Sequence, residues 1–157
     1  MEVSNPDLGY SSRYLDFGEG FYLTTNEEQA IQFSHKVIIR EAKRGNKIGT
    51  ATVSSYEFDL LLAKSSLKML DFELPSEEWF NFVIDNRRGV VQSFIYDIIY
   101  GPVANDDVYQ VIGLFEDGIL SKENAITALK VKQLFNQYTL KTNAALGLLK
   151  FISSKTY

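Results

Sequence analysis

The chain has no cysteine and a single histidine, His35. The first absence excludes a disulfide scaffold, a thiolate nucleophile and cysteine-ligated zinc. The second rules out a multi-histidine metal site and leaves His35 as the only histidine a Ser-His-Asp triad could use. No metal is therefore expected. No apolar run reaches the roughly 18 residues that a membrane-spanning helix needs. The N-terminus, MEVSNPDLGY, has neither the basic start nor the apolar stretch of a signal peptide, so a soluble, cytoplasmic protein is expected. A net charge of −4 provides no basic footprint for counterion release, which argues against non-specific nucleic-acid binding.

What is present is globular. Apolar residues make up 45% and charged residues 23%, proportions that do not suit a disordered chain. The length suits one domain over residues 1–157, able to bury about 70% of its unfolded surface. No internal repeat, low-complexity tract or linker is visible.

Local patterns alternate irregularly. Residues 21–24 (FYLT) predict a short strand. A helix follows from near Asn26, with Thr25 and Glu28 in capping-box spacing and Asn26 itself a good cap. Ala30, Ile31, Phe33, Val37 and Ile38 give it an apolar stripe, and Gly45 a stop. Residues 47–59, rich in β-branched and aromatic side chains, predict a strand, as do 67–72. Residues 76–89 predict a helix, with a cap, early acids and late arginines. A buried strand is expected over 93–101, helices over 105–116 and 121–130, and a strand over 136–142 followed by a helix or strand through 151. The mixture points to an α+β fold.

Chemistry alone names no active site. Gly18-Glu19-Gly20 precedes its strand and lacks a third glycine, whereas a dinucleotide fingerprint follows a strand and opens a helix. A tight turn into a hairpin is the plain reading of the segment. The pairs Glu27/Glu28, Glu77/Glu78 and Glu116/Asp117 read as capping or solvated acids, and Arg87/Arg88 as partners of a helix dipole. His35 reads as structural, and Trp79, Phe80 and Phe82 as core.

Two segments carry a resemblance. "FGEGFYLTTNEEQAIQF" (17–33) resembles the Phe-Gly-Lys-Gly-Ile-Tyr-Phe segment and following helix of the poly(ADP-ribose) polymerases, in the histidine-tyrosine-glutamate clade of ADP-ribosyltransferases. "FNQYTLKTNAALGLLKF" (135–151) resembles that family's Asn-Glu-Tyr strand and the Leu-Leu-Lys stretch behind it, in the right order and at the right separation. The whole chain, including "DFELPSEEWFNFVIDNRRG" and "YDIIYGPVANDDVY", is more closely similar to a bacterial group, the domain-of-unknown-function 3990 family.

The resemblance implies a split β-sheet sandwich flanked by helices that takes NAD as substrate. Tyr22 stands at the clade's tyrosine and Phe33 at its second stacking aromatic, so the two rings would clasp the nicotinamide. Backbone groups near Gly20 or Phe21, or on the clade's first strand, would bond the carboxamide, and Arg13 would meet the pyrophosphate. Ala30 stands where polymerases have a serine that bonds the same amide. Gln137 takes the place of the clade's glutamate, keeping a hydrogen bond to the ribose but dropping the charge. That change points away from chain elongation and toward transfer of a single ADP-ribose. The clade's first, histidine-bearing strand should precede Val3–Leu8 and is not found, and His35 cannot replace it. Two readings follow. One is a mono-ADP-ribosyltransferase, a toxin of a toxin–antitoxin pair or a phage-defence effector acting on a macromolecular acceptor. The other is a catalytically inactive module of that fold, holding NAD, ADP-ribose or a protein partner. A partner that donates the missing strand to an open sheet edge is a third possibility.

Overall fold

A computed structural model describes residues 2–11, 15–46, 49–90, 95–102, 106–130 and 134–157. Its elements run β1 (Phe21–Thr24), α1 (Glu27–Lys43), β2 (Thr52–Phe58), α2 (Leu60–Ser66), β3 (Met69–Asp71), α3 (Glu77–Arg87), β4 (Ile98–Pro102), α4 (Asp106–Glu116), α5 (Lys122–Lys130), β5 (Asn136–Leu140), α6 (Asn143–Leu146) and β6 (Leu149–Thr156). Two sheets result, one of four strands in the order β1-β5-β4-β3 and a two-stranded ribbon of β2 and β6. The α+β expectation is met.

Alternation along the strands gives the larger sheet two buried faces. Ile98 and Ile99 are adjacent in β4 and both almost fully buried, so they feed opposite cores. On one face Ile99 joins Trp79, Phe80 and Val83 of α3, Val108 and Ile112 of α4, and Ala125 and Leu129 of α5. On the other, Ile98 and Leu140 pack with Ala63 of α2 and Ala145 of α6. β3 and β4 run parallel, with α3 in the connection between them; β5 is antiparallel to both β1 and β4.

Caps explain several boundaries. Asn26, not Thr25, caps α1, its side chain accepting from the Gln29 amide at 2.9 Å. Ser76 caps α3 through the Trp79 amide, and Thr142 caps α6 through that of Ala145. α2 is absent from the sequence reading: Asp59, assigned to the preceding strand, instead accepts from the Leu62 amide and starts a helix. β4 runs one residue past the expected end at Gly101, to Pro102, and starts only at Ile98, residues 95–97 lying outside any strand. Its expected first residues, 93–94, lie outside the described residues. Residues 143–151 hold both a helix and the start of a strand. No hairpin follows Gly18-Glu19-Gly20; β1 pairs with β5, far along the chain.

Among the described residues no helix is long and apolar enough to cross a membrane, and no three His, Cys, Asp or Glu side chains gather where they could hold a metal.

Candidate functional site

β1 and β5 bring the two expected chemical residues to one surface. Tyr22 pairs with Thr139, and Thr24 with Gln137. Directly paired residues and those two apart point the same way, so Tyr22, Thr24, Gln137 and Thr139 share a face, with Tyr22 and Gln137 diagonal neighbours. Gly101 of β4 lies beside Gln137 in the register and Ile99 beside Thr139.

The face is sealed by the core that Ile99 joins, with polar side chains among its apolar ones. Gln137 is 7% exposed and Thr139 0%. The Gln137 Nε2 and the Thr139 Oγ1 are both buried without a hydrogen-bond partner. Such orphans are uncommon, because each forfeits the hydration it had in the unfolded chain. The two lie two residues apart on β5; Thr139 Oγ1 has the Tyr22 hydroxyl beside it, whereas Gln137 Nε2 has no hydrogen-bonding neighbour.

Tyr22 is engaged differently. Its hydroxyl accepts from the Phe17 amide at 3.0 Å and donates to the Gly18 carbonyl at 2.7 Å. Burial pushes its pKa well above the ordinary tyrosine value near 10.0; the Phe17 amide works against that shift and the charge of Asp16 adds to it. The folded state thus keeps a proton that the unfolded chain releases. The resulting stability is complete below about pH 10 and is lost as pH rises beyond it toward the raised value. Urea unfolding followed between about pH 8 and 11 should show stability falling, with a shallower fall in Tyr22→Phe.

Segment 15–20 lies over this face through several anchors. Asp16 Oδ1 accepts from Arg87 Nε at 2.9 Å and from Nη2 at 2.7 Å, an ion pair mostly hidden from solvent. The Arg87 guanidinium also sits 3.8 Å from the ring centre of Tyr109. Lys141 Nζ donates to the Phe17 carbonyl at 2.5 Å and the Glu19 carbonyl at 2.8 Å, and burial pulls its pKa below the usual lysine range. Phe17 itself is fully buried against Phe72 and Phe82.

Two glycines make this path possible. Gly18 adopts φ 72°, and a side chain there would meet Asn86 Oδ1 at 2.8 Å. At Gly20 a Cβ would lie 2.4 Å from Thr139 Cγ2 and 2.9 Å from the Leu140 carbonyl oxygen. Gly20→Ala must therefore push β1 off β5, at a cost of about 1–3 kcal/mol or more, read as a lower urea midpoint at unchanged slope. The glycine doublet is thus a close-packed crossing.

The remaining expected residues divide. Gly20 is beside the site, but its backbone is already used: its N–H donates to Ser11 Oγ at 2.7 Å, and the Ser11 hydroxyl donates to its carbonyl at 3.0 Å. Phe21 turns to the opposite face, packing edge-on against Tyr56, so its side chain is not part of the Tyr22 surface. Phe33 is 60% exposed on α1, a helix with no buried residue. Its ring is not stacked on that of Tyr22. Arg13 lies outside the described residues. His35 is exposed. Arg87 does more than complete a helix dipole, since it binds Asp16; Arg88 pairs with Glu116 at the surface. Thr139, Lys141, Ser11 and Asp16 were not singled out in the sequence. Thr139 alone had a signal there, standing two residues beyond Gln137 on the same strand.

An open cleft of about 280 Å³ lies elsewhere, lined by Ser4, Pro6, Tyr56, Asn143 and Phe151 among others. Neither Tyr22 nor Gln137 reaches it. Its volume is no guide to the chemistry, because among the described residues the buried side-chain atoms without a hydrogen bond lie on the Gln137 face.

The four-stranded α+β body with a buried polar pair on β5 is a small mixed domain whose family the sequence itself identifies. The chain belongs to the DUF3990 family, described as "protein of unknown function", whose model matches residues 1–151. No curated protein and no solved structure matches it.

Proposed function

We propose that this chain is an ADP-ribosyltransferase-type domain that binds NAD across the β1–β5 face and transfers one ADP-ribose to a macromolecular acceptor. One observation carries the reading: the Gln137 side-chain Nε2 is buried without a partner, on the strand face it shares with Tyr22. An amide N–H in that state needs an acceptor oxygen, and a ribose hydroxyl is one. In the transfer, the bond between nicotinamide and ribose C1 breaks and the nicotinamide leaves with the electron pair. The acceptor's nucleophile bonds C1 and gives up its proton. Positive charge develops on the ribose, as in glycoside hydrolysis. Gln137 orients the sugar without balancing that charge, which suits slow, single transfer. In this reading the rings of Tyr22 and the exposed Phe33 would stack on the nicotinamide. Offset stacking contributes about 0.5–1.5 kcal/mol per pair beyond area burial. A toxin or phage-defence role is the biological setting we infer, with an antitoxin as a possible partner.

The test is incubation of the purified chain with NAD, following nicotinamide release and transfer of labelled ADP-ribose to lysate components. We expect turnover in the native chain and its loss in Tyr22→Ala. Absence of both release and label counts against an enzyme.

A second reading, an inactive module that binds NAD or ADP-ribose, is favoured by the commitments inside the chain. Ser11 takes both backbone groups of Gly20, and the Tyr22 hydroxyl is spent on Phe17 and Gly18. Saturable NAD binding without nicotinamide release would select it.

A further inference from the structure

Segment 15–20 crosses the very surface that a ligand would need. The Phe17 amide is fixed to the Tyr22 hydroxyl on β1. Its ring tip reaches β4, where a Cβ on Gly101 would lie 3.0 Å from Phe17 Cζ. β5 lies between those strands, and Phe17 packs in the same core as Ile99, on the face of the sheet that carries Gln137 and Thr139. Consecutive residues of the same segment satisfy two cations from outside it. Asp16 supplies a carboxylate oxygen to Arg87, and Phe17 a carbonyl oxygen to Lys141. Glu19 supplies Lys141 with a second carbonyl. Asn86, next to Arg87, lines the turn at Gly18. The segment therefore presents to Arg87 and Lys141 what an oxyanion would present: one full charge and several acceptor oxygens.

We propose that Arg87 and Lys141 form a pyrophosphate site, and that segment 15–20 occupies it as an internal stand-in which a pyrophosphate-bearing ligand displaces. Displacement would free the Tyr22 hydroxyl from the Phe17 amide and the Gly18 carbonyl, so phosphate capture and release of that hydroxyl become one event. The inference deepens the NAD reading and rests on it for the sugar contacts; the anion site itself is testable without a nucleotide. A closed segment also lowers apparent affinity by the fraction of molecules that are open, so loosening it must tighten binding.

The experiment titrates inorganic pyrophosphate, and separately ADP-ribose, into the native chain, Asp16→Asn and Ser11→Ala by calorimetry. It also follows hydrogen exchange at the Phe17 amide. Asp16→Asn keeps the side-chain shape but releases Arg87; Ser11→Ala loosens the Gly20 end and touches neither cation. We expect pyrophosphate to bind about tenfold or more tightly to Asp16→Asn, the gain to vanish when Lys141→Met is added, and pyrophosphate to speed exchange at Phe17 in the native chain. A folded Asp16→Asn that binds pyrophosphate no more tightly than the native chain overturns the proposal. Should that variant not fold, the same criterion applied to Ser11→Ala decides. Tighter pyrophosphate binding with no ADP-ribose binding in any variant would leave the anion site standing and sink the NAD reading. NAD turnover with no pyrophosphate gain would do the reverse.

Discussion

Gln137→Glu is expected to raise NAD cleavage by a factor of about 10²–10³, the equivalent of about 3–4 kcal/mol of electrostatic stabilisation. The substitution restores the negative charge that balances a developing ribose cation, without moving the β5 backbone. It also carries a penalty. Position 137 is buried and its side-chain nitrogen has no partner, so a carboxylate there is desolvated and its pKa is driven up. The rate gain should therefore grow as pH rises through that elevated value. Stability relative to the native chain should fall in the same direction, because the unfolded carboxyl ionises at lower pH than the folded one. Nicotinamide release measured across pH, beside urea unfolding at each pH, reads both effects. A flat rate ratio near one at every pH would mean that position 137 is remote from the reacting bond.

Trp79→Ala should be the most damaging core substitution, costing about 3–5 kcal/mol out of a total stability of about 5–15 kcal/mol. Trp79 is fully buried and is the largest such side chain among the described residues. Its Nε1 donates to the Pro102 carbonyl at 3.2 Å, tying α3 to the end of β4. Truncation leaves both a cavity and a buried carbonyl without a partner, so little of the loss can be recovered by relaxation. Urea denaturation should show the midpoint falling by about a fifth or more at unchanged slope. Phe33→Ala provides the contrast. It removes an exposed ring from a helix with no buried residue, so stability should change by no more than about 0.5 kcal/mol. NAD affinity should nevertheless fall if that ring stacks on the nicotinamide.

Much of this architecture is written locally. Asn26 and Ser76 announce their helices by capping chemistry, and Phe21–Thr24 and Asn136–Leu140 read as strands because their residue types suit a half-buried pleat, whereas Thr142, read as the end of a strand, caps α6. What is not local was not legible. The pairing of β1 with β5 joins residues more than a hundred positions apart, and only that pairing sets Tyr22 against Thr139. α2 was hidden because Asp59 follows a β-branched run and reads as its last residue, although its side chain caps a seven-residue helix. The candidate site shows the same division. Tyr22 and Gln137 could be picked out from motif resemblance, and strand alternation could have added Thr139. Lys141 and Asp16 could not be found, since their meaning comes from a segment folded back over the sheet. Ser11, likewise, is an ordinary polar residue until it is seen to hold both backbone groups of Gly20.

The most direct measurement is an NMR titration of the isotope-labelled chain with NAD, following the side-chain amide of Gln137 and the backbone amides of Tyr22 and Thr139. The account predicts saturable shifts concentrated on these three residues and on segment 15–20, with the Gln137 amide protons moving most as they gain an acceptor. Shifts confined to the Ser4–Tyr56 cleft, or none at millimolar NAD, would contradict it.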